Sequence, residues 1–402
     1  MAQLTYTPDV DLKVHEEGAI KLICKAFQSH EGGLPEWLKN SADAYARENA
    51  TEDKRVIVVI FDYGHRRVRP SISCLDFSGM TSTVIEENFR VWADPEASQR
   101  GAKSVAVQGG HGNGGKCYMT QMFQDYALIH TAKGDHGNRY GVVGGSIRFG
   151  YIPNRELGRN FEVEDLKAEM EKVLKPVRCS LEILPRTALK AFRQGEGFTF
   201  LTGVAPKGYE KRFPVQQLIA ALREHPQMIQ TLELCKVYVV VNGEMFGDGK
   251  PLQMPRIAPM QDAEEPREIL IPPFLKDPAT EEKISTTAND LLPAGMVILK
   301  TSEVSMRYKK KGRHNVIYKG ESGYVGYIPI SELDVQSSYR DHIYGECSLA
   351  ALEPFKQNER ARLANSPLTR AVDRFIQFRF RTTRKSSKRG IDTNTIKKRN
   401  LQ

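Results

Sequence analysis

The sequence predicts an α/β protein, and three observations carry that prediction. Amphipathic stretches alternate with short β-branched apolar runs through the first half of the 402 residues. A glycine-rich segment, GGHGNGGK at 109–116, ends a long loop where a helix should begin. After a proline-rich stretch the pattern turns β-rich, then helical and basic.

Leu12 to Phe27 reads as an N-terminal helix, and Pro35 to Glu48 as a second, with Pro35 placed at a helix start, where its missing N–H costs nothing. Val56–Ile60 and Ser71–Leu75 read as a strand pair around the turn-rich, basic YGHRRVRP. Thr81 to Val91 reads as a helix, Trp92 to Gly115 as a loop, and Lys116 to Tyr126 as a helix. Strands Ala127–Thr131, Tyr140–Phe149 and Phe198–Val204 complete a first domain over 1–206. A helix at Val215–His225, a strand at Val237–Val241 and an extended linker at Pro251–Pro273 make up 207–290. Strands Met296–Lys300, Val316–Lys319 and Tyr324–Ile328 and a helical region at Pro354–Phe378 occupy 291–373, with a basic tail over 374–402.

At 40% hydrophobic and 27% charged residues, the chain can bury one large core or several ordinary ones. Its start, MAQLTYTPDVDLK, lacks a basic and apolar leader, and its most apolar run, Val56 to Phe61, is too short to span a bilayer; a cytoplasmic protein with no membrane contact is expected. Six scattered cysteines form no CxxC pair and no zinc-ligand spacing. The net charge of +9 resides in the tail: from Arg374 onward ten Lys and Arg face one acid, Asp392, while the rest balances at 48 of each sign. Such an end is either a solvated terminus or a polyanion contact for DNA or RNA.

EWLKNSADA at 36–44 places Glu36, Asn40 and Asp43 or Ala44 on one helix face. A carboxylate so placed can polarise an attacking water, and the neighbouring amide oxygen can ligate magnesium. Taken alone, the same pattern also fits an ordinary amphipathic helix. The amides of the loop Gly109–Lys116 and the helix start behind it suit a triphosphate. Gly110 to Lys116 also satisfies the GxxxxGK part of a P-loop, but Cys117 stands where that motif has a magnesium-binding hydroxyl.

Together with DFSGM at 76–80, these segments resemble the motifs of the GHKL superfamily of Bergerat-fold ATPases, closest in style to microrchidia and heat-shock-chaperone ATPases. The resemblance covers about the first half of the chain. It implies an N-terminal Bergerat α/β sandwich, a transducer-like α/β segment, and a β-rich C-terminal region with a helical basic tail. It also implies ATP and Mg2+ as cofactors. Glu36 becomes the catalytic base and Asn40 the metal ligand. Asp43, Ala44, Asp76, Gly79, Met80 and Thr199 then line the nucleotide, with Gly110, His111, Gly112, Asn113, Gly114, Gly115 and Lys116 at the phosphates. DFSGM lacks one glycine of the usual DxGxG spacing, and Phe198 interrupts the usual Gly-Thr pair.

Trp92 to Val107 takes the place of the ATP lid, and Lys207, Lys300 or the run Lys309–Lys311 that of a second-domain lysine reaching the γ-phosphate. The implied activity is Mg-dependent ATP hydrolysis that closes a homodimer, in a nucleic-acid-linked process. A nucleotide-state-dependent protein-remodelling or signalling module is the alternative, and a P-loop NTPase the lesser one.

Overall fold

The computed structural model describes residues 15–24, 29–65, 68–92, 113–123, 126–143, 150–151, 160–207, 213–260, 267–287, 294–306, 313–321, 323–333, 340–357 and 362–380. It is mixed α/β.

VIVVIFD forms β1 (Val56–Asp62), buried along its whole length because both sides of the strand are covered. It pairs antiparallel with β2 (Ser71–Asp76). Outward from β2 come β7 (Gly197–Val204), β3 (Tyr126–Lys133), β4 (His136–Val143) and β5 (Gly150–Tyr151), with β6 (Asn160–Glu162) also on β4. On the other side β1 pairs in parallel with β8 (Lys236–Val241), followed by β9 (Glu244–Met245).

Strand alternation divides the core into two layers. Ile57, Val59 and Phe61 face α1 (Glu16–Cys24), α2 (His30–Arg47), α4 (Gly114–Met122), α7 (Val215–Glu224) and α8 (Met228–Leu234). Val56, Val58 and Ile60 face α5 (Leu166–Leu174) and α6 (Arg186–Gln194), two helices for which the sequence pattern offers no expectation. The fully buried His130 of β3 pins α5 to the sheet: its Nδ1 accepts from Arg139 Nε at 3.0 Å and its Nε2 lies 2.8 Å from Glu169 Oε1. The helix expected at Thr81–Val91 is α3 (Ser82–Asn88), capped by the Thr81 hydroxyl.

Two expectations need revision. Pro35 does not open its helix: Ser29 caps α2, its hydroxyl accepting from Gly32 N, and Pro35 sits inside, unable to donate to Glu31. Gly33 explains the longer helix, since a Cβ there would lie 2.0 Å from the Tyr118 ring, so α2 and α4 meet through that glycine. Nor does the sheet end at the boundary drawn near Pro206. Val56 opposes Lys236 and Phe61 opposes Val241, and α7 and α8 share a core with α2.

Farther on, β10 (Arg267–Ile271), β13 (Gly295–Thr301), β16 (Ile343–Leu349), β14 (Asn315–Gly320) and β15 (Gly323–Pro329) form a second sheet in that order. β11 (Phe274–Lys276) and β12 (Lys283–Ser285) form a separate hairpin. The helical stretch expected at Pro354–Phe378 resolves into a 3-10 turn at Ala350–Phe355 and a helix at 367–380 (α9). α9 buries Leu368, Val372, Ile376 and Phe380 against this sheet. Arg370 of α9 grips the buried Asp277, Nε to Oδ1 at 3.0 Å and Nη2 to Oδ2 at 2.5 Å, which holds that carboxyl down at about 2. Among the described residues no helix is long and apolar enough to cross a membrane.

Candidate functional site

α2 is the hub of the site because neighbouring positions on it address different partners. Glu36 and Asn40 face the start of α4. A Cβ on Gly114 would fall 2.2 Å from Glu36 Oε2, and one on Gly115 would fall 2.7 Å from Asn40 Nδ2. A Cβ at either position would have to displace the Glu36 carboxylate or the Asn40 amide, so the last glycines of GGHGNGGK bring the N-terminus of a nine-residue helix directly onto the Glu36–Asn40 face. Trp37 Nε1 reaches Gly115 O at 3.4 Å and ties the two helices. Helix-start amides carry the positive end of the helix dipole, so this surface suits an anion.

The next residues along α2 address the end of β2. Ser41 Oγ donates to Asp76 Oδ2 at 2.6 Å, and Ser78 N donates to Oδ1 at 3.1 Å. Tyr45 fixes the same corner, its hydroxyl donating to Val56 O at 2.6 Å and accepting from Phe77 N at 2.8 Å. Burial pushes the Asp76 carboxyl up to about 6, although the Ser41 and Ser78 hydrogen bonds pull it down.

Asp76 starts a polar row on an otherwise apolar sheet face. It is paired across the strands with Thr199, Thr199 with Thr131, and Thr131 with Asn138. All four are buried, where polar side chains need partners. Thr131 Oγ1 lies 3.1 Å from Thr199 Oγ1 and accepts from Met80 N at 2.8 Å; Asn138 Oδ1 accepts from Ser82 Oγ at 2.8 Å. Gly79 has φ +78°, and a Cβ there would meet Ala132 O at 2.5 Å, so its glycine is required for the chain to cross β3. The resemblance attributes that glycine to the base; the contact seen is with the sheet backbone.

Asp43 is buried and Ala44 half-buried on α2, about two turns from Glu36 along the same helix. Asn113 precedes α4 and is buried. Lys116 is fully buried, with Nζ donating to Asn88 O at 3.2 Å and to Val91 O, and it lies 4.7 Å from the Trp92 ring centroid. It therefore clasps the segment after α3, whereas the resemblance puts this lysine at the phosphates. Cys117 is buried against α1, its Sγ 3.7 Å from Ile23 O. Gly110, His111, Gly112 and the lid segment beyond Trp92 lie outside the described residues, as do Lys309–Lys311 and the tail from 381. Lys207 is exposed and Lys300 half-buried.

No family model and no curated protein matches this chain.

Several residues in this arrangement carry no sequence signal. Ser41 sits within EWLKNSADA but looks like any helix serine until β2 is placed beside it. Thr131 and Asn138 join the row only through strand register. Gln227, the residue just before α8, donates from Nε2 to Glu36 Oε1 at 2.7 Å across 191 positions of sequence. Lys39 Nζ meets the other oxygen, Oε2, at 3.0 Å, so this buried carboxylate is held from two sides. Among the described residues no three His, Cys, Asp or Glu side chains cluster as a metal site. Magnesium beside a triphosphate draws most of its ligands from phosphate and water, so it needs only one or two from the protein.

Proposed function

We propose that this protein binds and hydrolyses ATP with magnesium in the manner of the GHKL ATPases, and that nucleotide binding closes a dimer. One observation carries the reading. Two segments far apart in sequence converge on α2: the glycine start of α4 rests on Glu36 and Asn40, and Asp76 is bonded to Ser41 one residue on. The bare backbone at Gly114 and Gly115 is the test of fit: it brings the helix-start amides beside Glu36 and Asn40, and such amides suit the phosphates of a ligand.

Asp76, with Thr199 beside it, would accept the exocyclic amine of adenine. Asn40 would offer its amide oxygen to magnesium, which when bound neutralises charge on the phosphates. Glu36 would take the proton of the attacking water, a role that contributes on the order of 10² to 10⁴ in rate. Cys117 is packed against α1, an unsuitable place for the magnesium-binding hydroxyl of a P-loop, and this favours the GHKL reading over its P-loop rival.

The basic tail supports a nucleic-acid-linked role, because its ten cations oppose one acid. Turnover is therefore to be measured with and without DNA, on the wild-type chain and on Glu36→Ala. The reading expects ATP hydrolysis by the wild type, its loss in the variant, and retained nucleotide binding. Hydrolysis unaffected by the substitution would remove Glu36 from the mechanism.

A further inference from the structure

We infer that Gln227 is a positioning residue for Glu36, an inference that rests on the ATPase reading above. A general base must hold its carboxylate so that a lone pair meets the water, and a free glutamate side chain samples several rotamers. A carboxylate offers about four lone-pair sites. In this protein one is taken at Oε2 by Lys39, from the same helix, and one at Oε1 by the Gln227 amide, from α8. Gly114 closes the third side. Glu36, Lys39 and Gln227 are all 3% exposed or less, so no bulk water competes for these contacts.

The two partners do different work. Lys39 sets a positive charge beside the carboxylate, from the same helix. Gln227 is neutral, so it fixes the direction of Oε1 without adding charge. Its own placement is set from both sides in sequence. Gln227 N donates to His225 Nδ1 at 3.3 Å, and Gln227 occupies the N-cap position of α8. Burial lowers the His225 ring to about 4 despite the nearby Glu36, so near neutral pH the ring is uncharged and Nδ1 is free to accept. α8 runs into β8, which pairs with β1, so the grip on Glu36 is anchored in the central sheet.

The test compares steady-state ATP hydrolysis by the full chain with Gln227→Met, which keeps length and volume but removes the amide. The expected result is a fall in kcat of about tenfold, part of what a positioned base contributes, with KM unchanged. In a Glu36→Gln background the same change should have no further effect. Gln227→Glu gives a second readout: two carboxylates 2.7 Å apart would share a proton, moving the acidic limb of the rate–pH profile to higher pH. Circular dichroism and nucleotide affinity check each variant's fold, and a Gln227→Met chain that no longer folds is replaced by the Gln227→Glu profile. Active wild type with kcat unchanged in Gln227→Met, or an unmoved profile in Gln227→Glu, overturns the inference alone. A wild type that neither binds nor hydrolyses ATP overturns it together with the ATPase reading.

Discussion

At the scale of single residues, the site places charge where it is unfavourable for folding. Asp76 is the clearest case: burial raises its carboxyl to about 6, above the ordinary value of 3.8. The folded chain thus binds a proton more tightly than the unfolded one, so this group's contribution to stability falls as pH rises from about 4 to about 6 and is unfavourable above that. Asp76→Asn should therefore raise stability at pH 7.5 by on the order of 1–3 kcal/mol, with the amide oxygen accepting from Ser78 N and the Ser41 hydroxyl turned to accept from the amide N–H. The same change offers a donor to the donor group of adenine and should weaken adenine-nucleotide binding about 10- to 100-fold, as expected for losing a charge-assisted hydrogen bond. Thermal unfolding and calorimetry on one sample check both signs. A variant that is less stable and binds as well as wild type would remove Asp76 from the base pocket. Glu36, Asn40 and Asp76 can be picked out from sequence because their spacing and flanking elements are local. Ser41 and Gln227 cannot, because their partners are set by packing across elements.

At the scale of elements, the strands were the most legible part, since β-branched runs such as VIVVIFD need both faces covered and say so in their composition. Helix boundaries were less so. Pro35 suggested a helix start, but the Ser29 cap and the close contact at Gly33 carry α2 one and a half turns further toward the N-terminus. α5 and α6 are not legible because each is only nine residues long, a short window for a helical period to stand out, although they cover one whole sheet face. The α4 start yields the sharpest element-scale prediction. Gly114→Ala should leave α4 as stable or slightly more so, because alanine favours helix by up to about 1 kcal/mol. Its Cβ, however, would press on Glu36 Oε2, which Lys39 and Gln227 hold in place. Turnover should fall at least about tenfold, the order of loss that misplacing a catalytic base produces. An equally active Gly114→Ala chain would show that the α4 start and Glu36 do not share a site.

At the scale of the whole molecule, the sheet joins residues that the sequence divides. β8 pairs with β1 in parallel, and such a pairing between distant segments leaves no turn or spacing in the chain to announce it. Leu252 N still donates to Val237 O, so the first unit continues into the proline-rich stretch. A chain truncated after Pro206 would bare the edge of β1 and one side of α2, and it should aggregate; one ending at residue 260 should unfold cooperatively and bind nucleotide. Soluble, nucleotide-binding 1–206 would contradict this. Contacts also reach the second sheet: Glu303 N donates to Ala258 O, and Arg313 lies near Glu224 and Glu233, at the ends of α7 and α8 on either side of Gln227. The proposed Bergerat-type site on α2 is tested by calorimetric titration of ATP with and without magnesium into wild type, Asn40→Ala and Cys117→Ser, with circular dichroism as a check on folding. Asn40→Ala should lose the magnesium-dependent part of binding while Cys117→Ser binds as wild type does. Unchanged binding in Asn40→Ala, with binding altered in Cys117→Ser, would contradict it.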